Sequence, residues 1–139
     1  MSDQHTTRLA LPPAPPTALR LSKQTREQIA TLKRRTQVRH MNVLCRWALC
    51  RSLQEPSPPP LGPTDTATEI EWGIFVGAGG AVWWPLLLES ASVQGLRVDA
   101  SVAEALLRAH VARGMSYLVG DQDIKAVTSL ARMTLGLSG

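Results

Sequence analysis

The chain is poorly equipped for redox chemistry, metal chemistry or crossing a membrane. It has two cysteines and three histidines in 139 residues. Cys45 and Cys50 lie five apart in what reads as one helix, which turns their side chains about 140° away from each other. That divergence suits neither a disulfide nor a two-ligand metal clamp, and the spacing is unlike paired CxxC ligands, so both read as packing thiols. There is no run of 18 or more apolar residues, and the longest candidate, Ala81 to Leu88, falls far short of the roughly 20 residues a membrane helix needs. The N-terminus lacks a long apolar signal core, from which a cytoplasmic location is expected.

Catalytic markers are also sparse. His5 lies in a proline-rich arm, His40 adjoins a cationic segment and His110 falls in a late helix. No carboxylate pair or His-rich spacing marks a nuclease metal site, and Glu69, Glu71 and Asp99 are acids that only folding would gather. The GAGG run, Gly77 to Gly80, precedes a helix, but GxGxxG would need glycine where Val82 stands and no GK[ST] follows. A tight turn, not a nucleotide cradle, is expected there. No enzymatic activity, metal or cofactor is assigned.

Acidic residues are scarce in one half of the chain only. Residues 1 to 55 hold ten Lys and Arg against three Asp and Glu, net +7, whereas residues 56 to 139 hold five against eight, net −3. Between Arg20 and Arg39 there are seven cationic residues and one acid, Glu27. At about 100° per residue, Lys33, Arg26, Lys23 and Arg34 fall on one arc of a helix, while Thr25, Ile29, Leu32 and Thr36 cluster opposite. Ser22 suits the N-cap. Solubility does not require such segregation, whereas a polyanion partner benefits from concentrated cations.

A second helix, from Met41 or Asn42 to about Leu53, is apolar around nearly its whole circumference and must be buried on several sides. A chain this short encloses one modest core, so subunit association is expected to supply part of the cover. Arg46 and Arg51 interrupt the apolar surface and are expected to emerge to solvent or meet a partner's carboxylate. Residues 1–18, with LPPAPP, read as a flexible arm. Residues 54–68 read as a proline-rich connecting loop. Residues 19–139 are expected to form a single domain.

Glu69 to Val76 alternates, placing Ile70, Trp72, Ile74 and Val76 on one side, which predicts a strand. Ala18 to Leu21 offers a mate, within the subunit or across an interface. Trp83, Trp84, Leu86, Leu87 and Leu88 are expected in core or interface, on a helix that tolerates Pro85 in its first turn. Ser101 and Glu104 have capping-box spacing before a helix that either continues through Gly114 or breaks there. Gly120 and Asp121 signal a stop, before a last short helix, Asp123 to about Met133. The predicted fold is mainly α: a compact helical bundle with a minor β element, oligomeric. Its opening order, short strand then basic helix then second helix, is similar to ribbon-helix-helix DNA binders by analogy only.

The runs LRLSK (Leu19–Lys23), LKRRT (Leu32–Thr36), NVLCRWALCRSL (Asn42–Leu53), EPSPPP (Glu55–Pro60) and RGMSYL (Arg113–Leu118) resemble the DndE family of bacterial DNA sulfur-modification (phosphorothioation) proteins, from about Leu19 to Asp123. The resemblance implies a small helical protein that forms a homotetramer and binds double-stranded DNA, preferably nicked. It would work beside DndC-like and DndD-like subunits at the nucleoid, within a restriction-modification setting. By resemblance the DNA-binding positions are Lys23, Lys33, Arg34 and Arg35; Arg26 joins them by its helical angle, and Arg39 ends the same cationic run. The function expected is a non-enzymatic DNA-binding subunit. The alternatives are a scaffold whose basic face docks on an acidic patch of the DndC-like or DndD-like subunits, and a DNA-nicking enzyme.

Overall fold

The structure, a computed structural model, describes residues 12–78 and 80–121. The sequence-based expectations for residues 1–11 of the arm and for the helix from Asp123 to Met133 lie outside the described residues. In chain order the elements are β1 (Ala18–Leu21), α1 (Lys23–Thr36), α2 (Met41–Leu53), β2 (Thr68–Glu71), α3 (Trp72–Val76), a turn of 3-10 helix (Gly80–Val82), α4 (Trp83–Val93) and α5 (Ala100–Gly120). The protein is mainly helical, with a small two-stranded sheet, among the described residues.

The mate sought for the strand comes from the same chain. β1 and β2 pair antiparallel, with Leu19 opposite Ile70 and Arg20 opposite Glu69. Leu19, Leu21 and Ile70 turn into the core. On the other face Arg20 Nε donates to Glu69 Oε1 at 3.0 Å, and its Nη1 reaches Glu104 Oε1 on α5 at 2.7 Å. The sheet is thereby tied to the longest helix.

The strand is shorter than its alternation predicts. It ends at Glu71, where the Trp72 N–H donates to Thr17 O, and the chain turns directly into α3. Trp72, Phe75 and Val76 are also i, i+3 and i+4, one side of a helical turn. Phe75 is fully buried, whereas Ile74, assigned to the inner side by the strand reading, is exposed. Two α2 side chains serve the carbonyls that this turn leaves free: Asn42 Nδ2 donates to Ile74 O and Arg46 Nη1 to Phe75 O. Gly77 ends α3 at φ 66°, where a side chain would be strained.

α5 is the axis of the fold, and α2 packs along it antiparallel, as the close pairs Ala48–Gly114 and Ser52–His110 show. It runs unbroken through Gly114 and ends at Gly120. Its start differs from the capping-box expectation. Asp99 is the N-cap, accepting from the Val102 N–H at 2.8 Å, so Ser101 lies inside the helix and Glu104 turns to Arg20. Leu44, Cys45, Ala48, Leu49 and Ser52 of α2 are buried, while Met41, Val43, Trp47 and Leu53 are half-buried against the core. Arg51 meets a carboxylate of its own chain, Glu55, at 2.9 Å and lies over the Tyr117 ring. In α4, Trp84 and Leu87 are buried, Trp83 and Leu88 partly so, and Leu86 is exposed.

The proline-rich segment crosses α5 as an ordered loop. Arg113 donates to Ser52 Oγ and Ser52 O at the C-terminal end of α2, and to Ser57 O and Oγ in the loop. Arg108 donates to the carbonyls of Thr64 and Asp65 further on. At the other end of the chain, Trp84 Nε1 donates to Pro13 O at 2.7 Å. Among the described residues no helix is long and apolar enough to cross a membrane.

Candidate nucleic-acid interface

The interface is built on α1, whose amphipathic pattern fixes which side of it faces out. Ser22 caps the helix by accepting from the Thr25 N–H at 3.1 Å. Its buried residues are Thr25, Ile29, Leu32 and Thr36, the four the helical angles place together. The helix closes at Gln37, in the left-handed region at φ 64°, whose N–H returns to Lys33 O at 3.0 Å. Lys33, Arg34 and Arg35 occupy the last turn, where cations are favoured by the partial negative charge of the free carbonyls.

Lys23, Arg26 and Arg34 are exposed, and Lys33 is partly so, on the arc opposite that buried side. From Lys23 to Arg34 the row extends over about 16 Å at 1.5 Å per residue. Arg35 and Arg39 are exposed as well but stand apart from the row. Arg35 lies on the flank toward α5, where its Nη1 donates to Val119 O at 2.6 Å, and Arg39 lies in the connection before α2. Arg26 Nη1 makes a long contact, 3.4 Å, to Ala67 O, and Arg34 Nη2 donates to the Thr31 hydroxyl. None of these six cations forms an ion pair with an acid among the described residues. Glu27 sits exposed on the same helix, also without an ion pair among them.

Other cations are already committed elsewhere. Arg20 is held in its charged form by the Glu69 hydrogen bond and the Glu104 charge, and Arg51 is paired with Glu55. Arg46, Arg108 and Arg113 are spent on carbonyls and serines that hold the loops. Sequence reading missed one group that shapes this interface: Asp65, whose Oδ2 accepts from the Lys23 N–H at 2.9 Å. It puts a carboxylate at the positive end of α1, a favourable placement for the helix. The two lie 42 positions apart, and no periodic signal in the sequence links them.

The groups considered for catalysis are dispersed or structural. Glu69 pairs with Arg20, and Asp99 caps α5. His110 is buried; its Nδ1 shares a 2.8 Å hydrogen bond with Ser52 Oγ, which also accepts from Arg113 Nε. The assignment that satisfies all three has the serine donating to a neutral ring. Burial first, and the Arg113 charge second, push the His110 pKa down to about 4. Burial likewise raises Cys45 to about 12 and Cys50 to about 11. Among the described residues no three His, Cys, Asp or Glu side chains gather as metal ligands.

Fold and surface together define a small, mainly helical domain that packs one side of its first helix and turns outward a row of cations that form no ion pair among the described residues. The chain belongs to the DndE family: the model of that family, described as DNA sulphur modification protein DndE, matches residues 18–126. No curated protein and no solved structure matches the chain. The match bears out the resemblance carried by the motif strings around α1 and α2.

Proposed function

We propose that this protein is a non-enzymatic DNA-binding subunit of the DNA sulfur-modification system, gripping duplex DNA through the outward side of α1. The observation that carries the reading is the row Lys23, Arg26, Lys33 and Arg34, with Arg35 and Arg39 beside it, unpaired with acids among the described residues. Cations in this state release phosphate counterions on binding without first breaking an internal ion pair. Contacts to phosphate carry little sequence information, so sequence preference is weak.

Self-association into a tetramer would gather such rows from several copies, and a nick makes the duplex easier to bend onto their spacing. The half-buried residues of α2 support a partner subunit as additional cover. DndC-like and DndD-like subunits complete the proposed assembly. The test compares intact, nicked and single-stranded probes in one titration, with the particle mass measured alongside. Nicked duplex is expected to bind tightest, to a particle of several copies. Equal binding to all three probes by a monomer would refute this reading, and cleavage of supercoiled plasmid by the purified protein would refute its non-enzymatic part.

A further inference from the structure

A cleft of about 450 Å³ runs between α1 and α5 beside the proline-rich loop, within the roughly 300–1,000 Å³ of sites that hold small molecules. Gln24 and Gln28 of α1 line one wall, Ser116 and Tyr117 of α5 the other, and prolines of the loop a third side. It adjoins the cation row directly. Gln24 and Gln28 stand about 100° and 140° round the helix from Lys23, on the flank toward α5, where Gln28 Nε2 donates to Ser116 Oγ at 3.2 Å.

The cleft itself offers no free charge. No acid lines it, and its one cation, Arg113, is spent on Ser52 and Ser57. What it presents is neutral: two amides, each with donors and an acceptor, hydroxyls, and an aromatic ring. The Arg51 guanidinium lies over that ring, 4.5 Å from its centroid, and Tyr117 remains 38% exposed. A phosphate or a carboxylate would find no cation left in the cleft, and an ammonium no acid. The group that fits is flat, uncharged and edged with donors and acceptors, and is joined to anions that reach the row beside it. A nucleobase on its sugar–phosphate backbone has this make-up. Bases stack on aromatic rings, and a glutamine amide pairs with a base edge.

We infer that the cleft receives one unpaired base of an interrupted duplex, stacked against Tyr117 and hydrogen-bonded by Gln24 and Gln28, while the neighbouring phosphates lie on α1. The inference rests on the DNA-binding reading and gives it a reason to favour a broken strand, because a base inside an intact duplex must first be unpaired and unstacked.

The test titrates the full chain with two duplexes that share a one-nucleotide gap, one with a normal base opposite the gap and one abasic there. The base-bearing probe is expected to bind about tenfold more tightly. Y117A should erase the difference, and Y117F, which keeps the ring, should retain it. Q24A/Q28A should weaken binding of the base-bearing probe alone. All three positions are exposed or half-buried, so the variants should keep the wild-type far-ultraviolet spectrum and their affinity for the abasic probe. Equal binding of the two probes by the wild type, or the full tenfold difference in Y117A, would overturn the inference. Tight, salt-sensitive binding that ignores the base would do so while leaving the phosphate grip standing, whereas weak binding to both probes would strike the proposed function and the inference with it.

Discussion

Gly114 of α5 lies against the backbone of Ala48 in α2, so close that a Cβ at position 114 would fall on the Ala48 carbonyl oxygen. The obstacle is backbone within a helix and cannot swing aside, so Gly114→Ala forces the two helices apart through the middle of the core. Overpacking of this kind costs about 3 kcal/mol. A lowered urea midpoint at unchanged slope is the expected result; wild-type stability would show that the helices separate freely.

His110 makes stability pH-dependent. Its folded pKa, about 4, lies below the ordinary 6.5, so between these values the unfolded chain takes up a proton that the folded protein refuses. The contribution of the neutral, buried ring is therefore fully present above about pH 6.5 and is lost as pH falls toward 4. It amounts to about 3 kcal/mol. His110→Asn, which still reaches Ser52, should flatten the urea midpoint across this window. An unchanged acid limb in the variant would assign the loss to other groups.

The start of α5 separates two caps. Asp99→Ala removes the side chain that holds the Val102 N–H and should lower stability by about 1 kcal/mol. Ser101→Ala should leave it nearly unchanged, as Ser101 lies inside the helix. Thermal denaturation of both variants checks this, and the reverse order would restore the capping box.

What was legible in the sequence followed local periodicity. The angles of α1 named its four buried residues and its outward cations, and Ser22 marked its start. The same kind of pattern misled at Trp72–Val76, because residues that alternate also fit one side of a helical turn. The arbiters, Thr17, Asn42 and Arg46, are distant in sequence. Ser101 and Glu104 match a familiar capping spacing, yet Asp99 caps the helix and Glu104 serves Arg20, 84 positions away. The arginines that hold the loops, Arg108 and Arg113, have the same composition signature as those of α1, and only tertiary contacts distinguish them.

The thiols are expected to be slow. Cys45 is fully buried and Cys50 partly so, with pKa values raised to about 12 and about 11, and the reactive thiolate is scarce in both at pH 8. A chromogenic disulfide reagent should label neither promptly in the native protein, Cys50 before Cys45, and both in denaturant. Immediate native labelling of Cys45 would contradict its burial.

The most direct measurement is nicked-duplex affinity against salt concentration for the wild type and for the K33E/R34E/R35E variant. For the wild type the logarithm of the binding constant should fall steeply with the logarithm of salt, by about 0.9 for each phosphate contacted. The variant should lose measurable binding while keeping its particle mass. A flat salt dependence, or wild-type affinity in the variant, would contradict a phosphate grip by α1.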